Sequence, residues 1–170
     1  MGGVYSSFVS YLYPEYFVVV LGLDGAGKSA LAHRIMYGTV NDTVPTCGFV
    51  MSKVKINNSH VCLVDMCGQD GIRPTWGVMY HAADGVIYVV DGTDVSRLPL
   101  AMTELRTVMS YPSLEDKPFL IMINKQDDGA VDCATLKYNV KGENWRMFNV
   151  SVKTGDGVDD ALSWLEANLY

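Results

Sequence analysis

Residues 22 to 29 read Gly-Leu-Asp-Gly-Ala-Gly-Lys-Ser, a G-x-x-x-x-G-K-[ST] pattern whose flanks give it a place in a fold. Tyr16 to Leu21 before it is a continuous apolar run, rich in valine, as in a strand buried on both faces. Leu31, Ile35 and Met36 after it recur at helical spacing. The pattern therefore joins a strand to a helix, the context in which it cradles phosphate. Gly22, Gly25 and Gly27 permit backbone turns that a Cβ would obstruct. Their N–H groups can then face an anion, beside a helix N-terminus that already favours negative charge. Lys28 would reach the β- and γ-phosphates, and the Ser29 hydroxyl would sit on Mg²⁺.

The rest of the chain supplies more strands and helices in alternation. Strand-like runs fall at Val61 to Val64, Gly85 to Val90, Phe119 to Ile123 and Met147 to Val150. Val50, Val54 and Ile56 alternate with Met51, Lys53 and Lys55, which predicts a half-buried edge strand. Leu98 to Met109 and Val158 to Leu169 carry apolar residues at helical spacing. Alternating buried strands and helices predict a mostly parallel α/β sheet covered on both faces. One hundred and seventy residues suit one such domain.

Charge and length exclude other classes. A net charge of −6 argues against a nucleic-acid partner and against general electrostatic attraction to a membrane. No apolar run approaches a bilayer span, and the N-terminus lacks the basic region of a secretory signal. Cys47, Cys62, Cys67 and Cys133 are expected as reduced thiols, with no metal-ligand spacing among them.

Parallel sheets bind ligands beyond the carboxyl ends of their strands. Four polar clusters lie there: the phosphate loop, Asp65 to Gln69, Asn124 to Asp127, and Ser151 to Lys153. Asn124-Lys125-Gln126-Asp127 fits N-K-x-D, in which a carboxylate accepts from the N1–H and 2-amino group of guanine. Asp127 would thus choose the base; Asn124 would bond the base edge or tie the loop together. The Lys125 stem would lie over the purine. Ser151-Val152-Lys153 would add a backbone N–H to the guanine oxygen. Asp65 would hold Mg²⁺ through water, the Gly68 N–H would bond a γ-phosphate, and Gln69 would orient an attacking water. Pro45-Thr46-Cys47-Gly48 reads equally well as a turn or as a sensor loop whose Thr46 reaches Mg²⁺ only with a γ-phosphate present.

Together, GLDGAGKS, PTCGF, DMCGQD with IRPTW, VDGTD, NKQD and the closing TGDG…LSWL resemble the Arf-like branch of the Ras superfamily of small GTPases. The nineteen-residue step from Thr46 to Asp65 is similar to that family's interswitch. The resemblance covers the whole chain. It implies a P-loop NTPase fold, Ras-like, with a six-stranded mostly parallel sheet and helices on both faces. It implies a monomeric GTP/GDP switch dependent on Mg²⁺, served by an exchange factor, a GTPase-activating protein and effectors at the switch and interswitch surface. Thr46 would then be the switch I magnesium ligand, with Ser29 and Asp65, and Gln69 the catalytic glutamine. Asp24, Ala26 and Ala30 would join the other phosphate-loop residues at the nucleotide. The hairpin Met51 to Leu63 would slide by two residues on GTP binding and expel an N-terminal helix. No Arg lies directly before Thr46, so turnover should be slow, with an arginine supplied by a partner.

Residues 1–14 are expected as an amphipathic helix preceding a GTP-binding domain of residues 15–170. Met1-Gly2-x-x-x-Ser6 fits an N-myristoylation signal on Gly2, and Val4, Phe8, Tyr11 and Leu12 form an apolar stripe. An ordinary first helix packed on the core is the competing reading. One myristoyl chain anchors marginally, and no basic residue precedes Lys28, so aromatic residues would supply the second signal. The expected location is cytoplasmic, reversibly on endomembranes. Several residues depart from the family pattern: Cys67 and Val50 where Gly and Asn are usual, Val64 for a Trp, and Met79 for an aromatic. The stretch between Asp127 and Ser151 is also shorter. A membrane-trafficking switch is the leading function. A nucleotide-bound scaffold with little hydrolysis is the alternative, and a P-loop kinase is disfavoured by N-K-x-D.

Overall fold

The computed structural model describes residues 16–40, 48–67, 77–136, 140 and 142–169. Among the described residues six strands make one sheet: β1 (Tyr16–Leu21), β2 (Phe49–Ile56), β3 (Ser59–Met66), β4 (Gly85–Asp91), β5 (Phe119–Asn124) and β6 (Trp145–Asn149). Their order is β2-β3-β1-β4-β5-β6. The β2–β3 pair is antiparallel and the other four pairs are parallel. The helices among the described residues are α1 (Lys28–Tyr37), α2 (Gly77–Tyr80), α3 (Leu98–Met109) and α4 (Val158–Asn168).

The central strands are apolar up to their last residues because each face meets its own layer. Val19 and Leu21 of β1, and Phe119, Ile121 and Ile123 of β5, share one cluster with Ala101, Met102 and Leu105 of α3. Val18 and Val20, with Leu120 and Met122, share the other with Leu31 of α1 and Ala161 and Leu165 of α4. Each such large side chain contributes roughly 1.5–3 kcal/mol by leaving water. Both helical stripes read from the sequence face inward, and Asp159 and Asp160 stand in the first turn of α4, where the helix dipole favours them.

The edge strand departs from simple alternation. Val54 and Ile56 are buried, but Val50 is half exposed, as are Phe49 and Met51 beside it. Its inner end packs among the α1 and α4 layer; its outer end has no covering layer among the described residues. Val64, which stands where the resembled family has a Trp, is fully buried in the other layer.

The β2–β3 turn carries Asn57 at φ 48°, a left-handed conformation that asparagine tolerates. One carboxylate, that of Glu166 on α4, accepts from the Asn58 N–H at 2.9 Å, the Ser59 N–H at 3.0 Å, the Ser59 hydroxyl at 2.9 Å and Asn57 Nδ2 at 2.9 Å. The shortened stretch after Asp127 holds, among its described residues, a single 3₁₀ turn at Cys133–Thr135, capped by Asp132.

Candidate functional site

The phosphate loop turns sharply out of β1 because three glycines take φ values of 140°, 74° and 105° at residues 22, 25 and 27. Two of them also lack room for a side chain. A Cβ on Gly22 would stand 2.1 Å from the Val89 carbonyl oxygen, and one on Gly27 would stand 2.3 Å from Asn124 Nδ2. Gly27 caps α1 without a side-chain bond, so the first turn of that helix can offer its N–H groups to an anion.

Lys28 is buried, and its ammonium donates to the Leu23 carbonyl at 2.9 Å. Burial pushes its pKa below the ordinary lysine value, against the opposing pull of Asp65 and Asp24. A buried ammonium gains most from an anion close by, and the loop is shaped to hold one. The Ser29 hydroxyl donates to Asp65 Oδ2 at 2.5 Å, across from the end of β3. An alcohol and a carboxylate oxygen meeting beside a phosphate cradle are hard donors that fit Mg²⁺. Asp24 pairs with Arg97 at 2.8 Å, and Arg97 also holds Asp94 at 2.5 Å, which ties the loop to the start of α3.

Asn124 stitches this half of the rim to the other. Its Nδ2 donates to the Ala26 carbonyl at 2.9 Å, and its Oδ1 accepts the Val152 N–H at 2.9 Å. Of the two roles the sequence left open, the structure shows it tying loops together. Asp127 accepts from the Ser151 hydroxyl at 2.6 Å and faces the Lys153 ammonium at 3.6 Å. The Ser151 hydrogen bond is the chief reason its carboxyl titrates below the ordinary aspartate value. Lys125 adopts φ 70°, and its ammonium meets Asp91 Oδ2 at 2.5 Å. Burial alone would raise the pKa of Asp91, but bonds from Lys125 and Thr93 bring it below the ordinary value.

A cavity of about 310 Å³ opens between these groups, lined by Gly27, Ala30, Asn124, Lys125, Asp127 and Lys153 among others. That is within the range of small-molecule sites. Gly27 of the phosphate loop and Asp127 share the cavity's wall. Arg34 of α1 donates to the Val152 carbonyl, and at 2.6 Å to that of Lys153.

The structure thus brings together the phosphate loop, Asp65, Asn124, Lys125, Asp127 and Ser151 to Lys153. Gly2 and the rest of residues 1–14, Thr46, Gly68 and Gln69 lie outside the described residues. Cys67 is described: it is buried, and its N–H donates to the Gly48 carbonyl at 2.9 Å. Sequence reading missed Asp91, Arg97 and Arg34. Arg97 and Arg34 belong to no spacing motif, Asp91 stands in VDGTD without a role read for it, and each acts through a fold contact with one of the motif loops.

A model of the ADP-ribosylation factor family matches residues 5–169. ADP-ribosylation factor-like protein 1 of Drosophila melanogaster is 36% identical over 99% of this chain and 98% of its own. ADP-ribosylation factor 3 of Arabidopsis thaliana is 35% identical over 89% of this chain and 87% of its own. Among solved structures, the Arl6 (BBS3) small GTPase of Trypanosoma brucei, with the nucleotide analogue GppNp bound, superposes with a TM-score of 0.81. The two are 25% identical, over 91% of this chain and 96% of that one.

Proposed function

Because this chain belongs to the ADP-ribosylation factor family of small GTPases, with GTP, GDP and Mg²⁺ as its ligands, we propose that it is a slow GTP hydrolase that governs membrane traffic. The observation that carries the guanine reading is Asn124. It holds the phosphate loop through Ala26 and the base loop through Val152, so the two ends of one nucleotide site are fixed relative to each other. Asp127, kept ionised, accepts the two donors of guanine. Lys28 and the loop N–H groups take the phosphates. Ser29 and Asp65, with Thr46, would hold Mg²⁺, which when bound neutralises charge on the β- and γ-phosphate oxygens. Gln69 orients the attacking water, and a partner protein supplies an arginine.

In the same reading, Gly2 carries a myristoyl group and residues 1–14 form the apolar helix that leaves its groove when GTP binds. An exchange factor loads GTP, and effectors meet the switch surface beside Phe49, Val50 and Met51, which are exposed. The protein then cycles between cytoplasm and endomembrane. Liposome flotation of the myristoylated protein tests this. Loaded with a non-hydrolysable GTP analogue it should float, and loaded with GDP it should stay behind. Equal flotation in both states would mean that nucleotide and membrane are uncoupled.

A further inference from the structure

Resting on the reading of this cavity as a guanine site, we propose that Arg34 is a positioning residue for recognition of the base's 6-oxygen. It would set the backbone of the Val152–Lys153 peptide so that the Lys153 N–H faces that oxygen.

In a trans peptide the C=O and the following N–H point in opposite directions. Arg34 Nε takes the Val152 carbonyl, and Arg34 Nη2 takes the next carbonyl, that of Lys153, at 2.6 Å. The Lys153 N–H shares its plane with the Val152 carbonyl, so it is turned away from the guanidinium. Val152 and Lys153 both line the cavity. Among the described residues no acceptor meets the Lys153 N–H, whereas the neighbouring Val152 N–H is already given to Asn124. A donor held in a cavity wall selects an acceptor on the ligand. Guanine presents a 6-oxygen at that edge, and adenine presents an amino group.

The surroundings are arranged for a guanidinium. Its third nitrogen, Nη1, reaches the Gly38 carbonyl at 3.4 Å, beyond the end of α1. Gly155 takes φ 99°, a conformation that favours glycine, and a Cβ there would stand 2.8 Å from Arg34 Nη1, so this loop lies close over the guanidinium. Two successive carbonyls call for a planar fork; the single ammonium of lysine satisfies one of them well. Arg34 also stands on the helix that the phosphate loop opens, so the phosphate end and the base end are braced through it as well as through Asn124.

The test compares dissociation constants of GDP, 6-thio-GDP, inosine diphosphate and ADP for the wild-type protein, Arg34→Ala and Arg34→Lys. Sulfur is a poorer acceptor than oxygen, so 6-thio-GDP reads the 6-position, whereas inosine lacks the 2-amino group and reads Asp127. The wild-type protein should prefer GDP to 6-thio-GDP by about fivefold, one hydrogen bond's worth. In Arg34→Ala that ratio should fall towards one while the GDP-to-inosine ratio holds. Arg34→Lys, which keeps the charge, should fall between and serves should the alanine variant not fold. Equal weakening of all nucleotides with both ratios kept would make Arg34 a structural brace and overturn the proposal. A wild-type protein that binds ADP as well as GDP would overturn the guanine reading itself, and the proposal with it.

Discussion

Replacing Asn124 with alanine should cost both stability and nucleotide retention. The side chain is 3% exposed and spans two loops with two bonds of 2.9 Å. Alanine leaves the Ala26 carbonyl and the Val152 N–H without that partner. Each buried polar group so stranded costs roughly 1–3 kcal/mol, so the pair costs about 3 kcal/mol at the lower half of the range. In a chain of this size 1 kcal/mol moves the melting temperature by about 2–4 °C, which gives a fall of roughly 6–12 °C. The measurement is thermal unfolding of the GDP-loaded protein at fixed free GDP, since ligand concentration itself shifts the midpoint. GDP release, followed with a fluorescent analogue, should accelerate in parallel, because the phosphate and base ends are no longer held in one frame. Asp127→Ala is the control, since it damages the base site without cutting the link to the phosphate loop. A fall of less than about 2 °C with unchanged release would refute the idea that one amide holds the two halves together.

Asp127→Asn should shift preference from guanine to xanthine nucleotides, whose 2-oxo group requires a donor; competition binding with GTP and XTP reads this directly. Gln69→Leu should leave GTP binding intact and slow partner-stimulated hydrolysis by orders of magnitude in single-turnover assays, and an unchanged rate would remove Gln69 from the mechanism. Ser151→Ala should move the acid limb of GDP binding to higher pH. The Ser151 hydrogen bond holds Asp127 below its ordinary value of 3.8, so the ionised form now persists above that value and is lost only as pH falls through the depressed one. Without the bond the loss begins earlier, and a pH titration of binding that matched the wild-type curve would show that Ser151 does not tune the carboxylate.

The sheet was legible because its central strands are apolar without alternation, and a run such as Phe119 to Ile123 has one stable home, between two layers. The phosphate loop and N-K-x-D were legible because their chemistry fixes residue types at fixed local spacing. The edge strand was half legible: the period of two is real at Val54 and Ile56, but at Val50 burial depends on whether another element happens to cover that end. The contacts of Arg34, Arg97 and Asp91 were not legible. Their partners lie 118, 73 and 34 residues away, and an arginine on a helix looks the same in sequence whether it meets water or a pair of carbonyls. Asn124 lay between these cases, since the motif named it but only the fold decided which of two roles it takes.

The four bonds that Glu166 accepts from the β2–β3 turn have a practical side for anyone who wishes to watch this protein move. Glu166 lies in the last turn of α4, so a label on the neighbouring exposed Ala167 stands beside the tip of the hairpin. Such a handle sits next to a part whose motion is in question. Glu115 is exposed in the turn before β5, at the amino ends of the parallel strands and away from the nucleotide rim. A probe placed there would report on the molecule without leaning on the hairpin.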